Sequence, residues 1–290
     1  MTFLIICTMG ISQKHAAVIL KVNQSSISRR FNRVLQSFQE QIIPHQIGLK
    51  NLTLPVIRER HTPRLFSSLF QNVVLVCDGT YIYTQKSENF KTQKKTYSMH
   101  KHRSLVKFLV FTAPNGRVVE AFGPFLADGH HNDEWLFNYC FDMPESPLRQ
   151  HLDLERDETM CDRGFNRAED YVRLHSPKSI AKGQSQMSVS NCNYTRCVTR
   201  LRQVIERLFG RLKHWKLIYN VVDTAYIPMI RPIFLSLCCM DNMFFPPLFQ
   251  DSPENDDGDI IRLLISLHQA ENHVKEPSIN GGTTYGRSFL

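Results

Sequence analysis

Three apolar runs decide most of what this chain can become. Val73-Val74-Leu75-Val76, Leu105 to Thr112 and Val118-Val119-Glu120-Ala121-Phe122 are rich in β-branched and aromatic residues, and Pro114-Asn115-Gly116 between the last two is a turn signal. They predict a buried strand and then a hairpin. Downstream, a helix is predicted after Asn132-Asp133, a short strand at Thr159-Met160-Cys161, and a long helix over roughly Thr195 to Lys216. Strands followed by helices give a mixed α/β domain.

Composition removes the main alternatives. Of 290 residues, 42% are apolar and 21% charged, which excludes a largely disordered, collagen-like or coiled-coil chain. No run approaches the roughly 20 apolar residues of a bilayer span, so a transmembrane reading fails and hydropathy predicts no membrane partner. Thr2 to Cys7 is apolar but short and lacks a basic leader, so it does not read as a signal peptide. The net charge is +8, yet residues 251–290 hold three basic and seven acidic side chains, leaving +12 on the rest. Such an excess suits a polyanion such as nucleic acid or, less specifically, an anionic membrane surface. The eight cysteines show no C-x-x-C spacing and read as buried thiols in a reducing compartment. Without an export leader, the sequons at Asn23, Asn51 and Asn193 read as chance matches.

Periodicity divides the chain into four pieces: a helical segment 1–40, a connecting segment 41–70 carrying Pro44, Pro55 and Pro63, an α/β domain 71–249, and an acidic, loosely ordered tail 250–290. In the first piece, Ser12-Gln13 can open a helix through Ala16, Ala17 and Ile19. Val22-Asn23 can turn the chain, and Gln24 to Phe31 can form a second helix. This is helix-turn-helix spacing: Ala17 permits a close crossing, Val22 and Ile27 fill the wedge, and Asn23 caps the second helix. Gln24, Ser25, Ser28 and Arg29 then face outward, with Arg29, Arg30 and Arg33 available to bases or phosphates. The plainer alternative is a helical hairpin with a solvated basic face. Lys21 stands where the turn favours glycine, and a first supporting helix has to come from the residues before Gly10, as though the segment were trimmed.

Three acids carry the chemistry. Asp78 is expected to end the first strand, with Gly79 freeing the chain to turn. Asp162 repeats the pattern in Cys161-Asp162-Arg163-Gly164, and Glu206 lies on the long helix. There Val198, Leu201, Ile205, Leu208, Leu212 and Trp215 form an apolar stripe that leaves Glu206 at its edge. Taken singly, each acid reads as a turn cap or a solvated charge. Three carboxylates converging on one point need a hard divalent cation such as Mg²⁺ or Mn²⁺ to cancel their repulsion, and a pair of such ions suits phosphodiester displacement. Around Glu206 lie Arg196, Arg200, Arg202, Arg207, Arg211, Lys213 and Lys216, a candidate phosphate-facing stripe. Lys94, Lys95, His100, Lys101 and Arg103, interleaved with Phe90 and Tyr97, suit a nucleic-acid backbone as well. Asp128, His130, His131 and Asp133 are crowded together, but Asn132-Asp133 before Trp135 reads as a helix cap rather than a metal site.

Five segments occur in one order: Asp78-Gly79-Thr80-Tyr81-Ile82, Gln93 to Lys101, Phe122-Gly123-Pro124-Phe125, Asp162-Arg163-Gly164-Phe165 and Arg202-Gln203-Val204-Ile205-Glu206-Arg207. Together they resemble the DDE superfamily endonuclease domain of Harbinger (PIF) transposases and their domesticated nuclease-like relatives. The resemblance covers about residues 71–249 and extends to the helix-turn-helix upstream. It implies a ribonuclease-H-like catalytic domain behind a small all-α helix-turn-helix, with the first acid on the first strand, the second after the fourth strand and the third on a late helix. Asp78, Asp162 and Glu206 match that triad and are the expected metal ligands. It further implies metal-dependent cleavage of double-stranded DNA at element ends with strand joining, a Myb-like accessory protein, a homo-oligomer and a nuclear location. Two departures stand out: the stretch between Phe165 and Pro177 is about five residues short where the fifth strand belongs, and the recognition segment begins abruptly. Both suit a decaying or repurposed copy, so a domesticated, catalytically silent DNA-binding or scaffold protein is the alternative.

Overall fold

The computed structural model describes residues 1–127, 131–165, 168, 171–180, 182–183, 185–251 and 266. At the N-terminus lie α1 (Thr2–Met9), α2 (Gln13–Leu20) and α3 (Gln24–Ser37). Ser12 caps α2 by accepting the His15 N–H, and Asn23 Oδ1 caps α3 by accepting the Ser26 N–H at 2.9 Å. Between them Lys21 takes φ 52°, and the Val22 N–H reaches back to the Ala17 carbonyl at 3.0 Å. This is a Schellman stop with lysine in the position where glycine carries no Cβ penalty.

The expected connecting segment is instead helical and packed. A π-turn (Phe38–Ile42) extends α3 into α4 (Ile43–Gln46), followed by α5 (Leu54–Arg60) and α6 (Arg64–Leu69). Its prolines sit at helix starts, where the missing N–H costs nothing, and Leu49, Leu52, Leu54, Ile57, Leu65 and Phe66 are buried. Nor are the N-terminal helices set apart. Phe3, Ile6, Ala16, Ile27, Phe31 and Leu35 belong to the same continuous core as Leu201, Leu208, Phe234 and Leu237. The ring of Phe31 meets Tyr226 edge-on at 6.0 Å.

The centre is a mixed sheet. The strands are β1 (Val73–Tyr83), β2 (Tyr97–Ser98), which follows α7 (Phe90–Thr96), β3 (Arg103–Thr112), β4 (Val118–Leu126), β5 (Glu158–Met160) and β6 (Arg173–His175). Both β2 and β4 pair with one edge of β3, β3 pairs antiparallel with β1, and β1, β5 and β6 run parallel. Asp78 does not end its strand. The β-formers Thr80-Tyr81-Ile82-Tyr83 carry β1 onward in register with β3, Gly79 opposite Leu109 and Tyr83 opposite Leu105. The short edge strand β6 does form, pairing Glu158 with Arg173 and Met160 with His175. Side chains reinforce it: His175 Nε2 lies 2.7 Å from Glu158 Oε2, and its Nδ1 lies 2.8 Å from the Tyr194 hydroxyl.

Helices cover both faces. On one, α8 (Asp133–Asp142) and α9 (Pro147–His151) lie over Cys77, Leu109, Phe111 and Val119. On the other lie α10 (Val189–Leu212) and α12 (Ile230–Phe244), with Phe234 stacked on Phe108 at 4.2 Å; α11 (Lys216–Tyr219) connects them. The long helix begins earlier than its apolar stripe indicated, because Ser188 caps it at Asn191, and it stops before Trp215. Thr224–Phe244 is one helical stretch of 21 residues apolar enough to match a span in length and composition, a correction to the composition reading. More than half of it is buried as the core helix. Part of the acidic tail, 252–265 and 267–290, lies outside the described residues.

Glu120 on β4 ties the segment after α4 to the sheet by accepting the Leu49 N–H at 3.1 Å, while the Gly48 N–H donates to the Val119 carbonyl at 2.8 Å. Burial pushes the Glu120 carboxyl up to about 7 from its ordinary 4.5, against the Leu49 amide and the Arg231 and Lys50 charges. A carboxyl raised by folding stabilises the fold below its unfolded pKa and gives that stability up as pH climbs through the folded one. Urea unfolding of the parent should therefore lose about 2–3 kcal/mol relative to Glu120→Gln between pH 4.5 and 8; equal pH profiles would contradict this.

Candidate active site

The middle of β1, the end of β5, the start of α8 and the middle of α10 meet at one place. Asp78 is mostly buried. Its Oδ1 accepts the Gly79 N–H at 2.8 Å and its Oδ2 accepts Arg202 Nη1 at 2.8 Å. Arg202, with a side chain only 10% exposed, also donates through Nη2 to Glu206, one helical turn further along α10 and 53% exposed. Its Nε is buried without a partner among the described residues. One guanidinium thus links the first acid to the third.

The second acid is joined to the first electrostatically. Burial pushes the Asp78 carboxyl up to about 6; Arg202 and the Gly79 amide pull it down, and the Asp162 and Asp133 charges push it further up. Asp162, half-buried just past β5, has no cationic partner among the described residues. In the sequence, Asp133 reads as part of a helix cap. It is the first residue of α8, Asn132 does the capping, and its carboxylate lies near Gly79 and Gly164. A Cβ on Gly164 would lie 3.0 Å from Asp133 Oδ2, and one on Gly79 would lie 3.8 Å from Oδ1. Glycine at 164 therefore leaves room for the neighbouring carboxylate, whereas at Gly79 a side chain would make only ordinary contact with it, and Gly79 does not turn the chain. Asp128 and His130 lie outside the described residues.

Asp78 and Glu206 share one buried guanidinium, and Asp133 and Asp162 add two more negative charges close enough to act on Asp78. That excess of hard oxygen donors suits a hard divalent cation in charge and chemistry. Among the described residues no three ligand-type side chains close around a single point, because Arg202 takes up Asp78 and Glu206. The expected three-acid convergence is thus a pair bridged by arginine with Asp162 beside it.

The remaining candidate residues divide by placement. Arg196, Arg200, Arg207, Lys213 and Lys216 are exposed on and after α10, as are Lys94 and Lys95 on α7 and His100 and Arg103 near β3; Lys101 is half-exposed. Arg202 and Arg211, expected in the phosphate-facing set, are both engaged by acids in this structure. Arg211 is turned onto Asp241 at 2.5 Å and the Pro246 carbonyl at 2.8 Å, because Asp241 is buried on α12 and needs a counter-charge. In the N-terminal segment Arg29, Arg30 and Arg33 are exposed, as are Gln24 and Ser25. Gln24 and Ser28 also line a cleft of about 530 Å³ with Asp223, Tyr226 and Met229. All eight cysteines are free thiols, seven of them buried. Two signals in the sequence pointed to what was missed: the four-residue spacing of Arg202 and Glu206, and the glycine after each strand acid.

An acid on the central strand, another after the neighbouring parallel strand and a third on a covering helix define a mixed α/β domain with carboxylates gathered at its central sheet. Residues 77–242, more than half of the chain, match the DDE superfamily endonuclease family, and the protein belongs to that family. No curated protein matches it. Among solved structures, a pre-cleavage Mos1 transpososome is similar at 12% identity over 80% of this chain and 71% of that one, TM-score 0.27. A Mos1 mariner paired-end complex with Mn is similar at 12% identity over 81% and 76%, TM-score 0.24.

Removing the guanidinium should expose its function in the fold. Arg202→Met leaves Asp78 mostly buried beside two like charges and should lower unfolding free energy by about 2–3 kcal/mol at pH 7. Adding Asp78→Asn should recover much of that loss; urea titration of the single and double variants checks it, and simple additivity would refute the coupling.

Proposed function

We propose that this protein is a Harbinger-type, divalent-metal-dependent DNA endonuclease of the transposase class. The observation that carries the reading is the family match over a stretch that includes Asp78, Asp162 and Glu206, with Asp78 coupled to Asp162 by charge and to Glu206 through Arg202. The strand order, three antiparallel strands and then two parallel ones, supports a ribonuclease-H-like architecture. The α2–α3 pair, with Arg29, Arg30 and Arg33 exposed, supports a DNA-binding helix-turn-helix.

Asp78 and Asp162 would hold Mg²⁺ or Mn²⁺, and Glu206 would complete the set when Arg202 lets go of the carboxylates. Bound there, such an ion supplies a nucleophile near neutral pH and charge for the leaving oxygen. The protein's own part is placement. Arg196, Arg200, Arg207 and Lys213 receive the phosphate backbone of double-stranded DNA along α10, with Lys94, Lys95, His100, Lys101 and Arg103 as a second bank. Arg202, freed, offers a planar fork that fits a phosphate. Water would bond to the phosphorus as its bond to the 3′-oxygen breaks, leaving a 5′-phosphate and a free 3′-hydroxyl, and that hydroxyl would then bond to a target phosphorus with a target 3′-oxygen leaving. A Myb-like accessory protein, a homo-oligomer and a nuclear location belong to the same reading.

The bridge by Arg202 favours a second reading, a domesticated DNA-binding or scaffold protein without turnover. One experiment separates the two. Supercoiled DNA with Mn²⁺ or Mg²⁺ should be nicked by the parent and not by Asp78→Ala, a loss of at least about a hundredfold. Absence of nicking at any metal concentration, with binding retained in Glu206→Ala and weakening by about 0.9 log unit per phosphate contact per tenfold salt, selects the second.

A further inference from the structure

Beside the acids lies a half-exposed aromatic surface that neither the triad nor the basic stripe uses. Tyr81, Lys107 and Phe125 are directly opposite one another across β1, β3 and β4, so they share one face. Phe125 meets Tyr139 of α8 edge-on at 5.8 Å, and Tyr139 stacks on Trp135 at 5.0 Å with 14° between the planes. Trp135 in turn meets His131 at 4.4 Å, and Lys107 Nζ donates to the His131 carbonyl at 2.6 Å, closing the patch on itself. Trp135 is 40% exposed and Tyr139 42%, unusual for large rings held in fixed stacks. Cations border the surface: Lys101 Nζ lies 5.3 Å from the Tyr81 ring centre and Arg103 5.3 Å from that of Tyr83. Its link to the acids runs through β1: Asp133 Oδ1 lies 3.8 Å from where a Cβ on Gly79 would stand, Gly79 and Tyr81 share one face of that strand, and the Asp133 and Asp78 charges, after burial, push the Tyr81 hydroxyl's pKa up.

The stacked rings of Trp135 and Tyr139, each about two-fifths exposed, with Lys101 and Arg103 over Tyr81 and Tyr83 on the adjoining sheet face, match an unpaired nucleotide: a base to lay against the exposed part of Trp135 and a phosphate for the cations. A paired duplex offers no such face along its length, because its bases are stacked within the helix, and only its end pairs keep one side open. We propose that the Trp135–Tyr139 stack is a platform for an unpaired DNA base next to the carboxylates, so that the site takes a single-stranded or frayed end. This rests on nucleic acid being the partner, as proposed above, and not on cleavage.

Tryptophan emission tests it, since Trp135 and Trp215 are the two indoles. In Trp215→Phe, or by difference against Trp135→Phe if that change disturbs the core, a single-stranded oligonucleotide should quench Trp135 saturably without divalent metal. A duplex with an unpaired 3′ end should do the same, and a blunt duplex much less. Trp135→Ala should weaken single-strand binding about tenfold while leaving blunt-duplex binding within about twofold, and Trp135→Phe should restore most of the loss. Emission unchanged by every oligonucleotide, which would turn the surface over to a protein partner, or equal weakening of single-strand and duplex binding, overturns the platform. Because binding is read without metal, an inactive catalytic site leaves this result interpretable, and failed quenching in an actively nicking protein removes the platform alone.

Discussion

The structure depends on one guanidinium placed between two acids that are far apart in the chain. Asp78 lies in the middle of the central strand, where burial raises the cost of its charge, and Arg202 brings the countering charge from α10. The same arginine holds Glu206, so strand and helix are joined electrostatically as well as by the apolar contacts beneath. Without that cation a carboxylate in the sheet interior, with Asp133 and Asp162 nearby, would be hard to sustain. The chemistry proposed for the site depends on the same residue, because the oxygens it occupies are those a metal would need.

The sequence made much of the framework legible, because burial leaves a pattern. The apolar runs located β1, β3, β4 and β5, and the turn at Pro114-Asn115-Gly116 set the hairpin. Asn132 and Asn23 were readable as caps because a short polar side chain ahead of an apolar period has few other uses. What escaped depended on pairing at a distance. Asp78 followed by Gly79 reads locally as a strand end, and only the antiparallel partner β3 keeps the chain extended through Tyr83. Likewise Pro44, Pro55 and Pro63 suggested a connector, since a proline at a helix start cannot be told from one in a loop without seeing what the next turn buries.

The candidate site was legible by residue type and less so by arrangement. Charge counting put Arg202 and Arg211 with the exposed cations of α10, because a one-dimensional tally cannot show that Asp78 and Asp241 lie buried beneath that helix. Asp133 was hidden for a related reason: its neighbours in space, Gly79 and Gly164, lie on two other elements. In both cases the missing information was a counter-charge or a contour supplied by a part of the chain remote in sequence.

The N-terminal helices share their oily interior with α10 and α12 through Phe3, Ile27 and Phe31, without a pliable joint between. Such a body works as a caliper with fixed jaws. If α3 grips a sequence in one groove, the acids stand at a set span from it, and the distance between the bases read and the bond cut is a dimension of the protein rather than a property of the DNA.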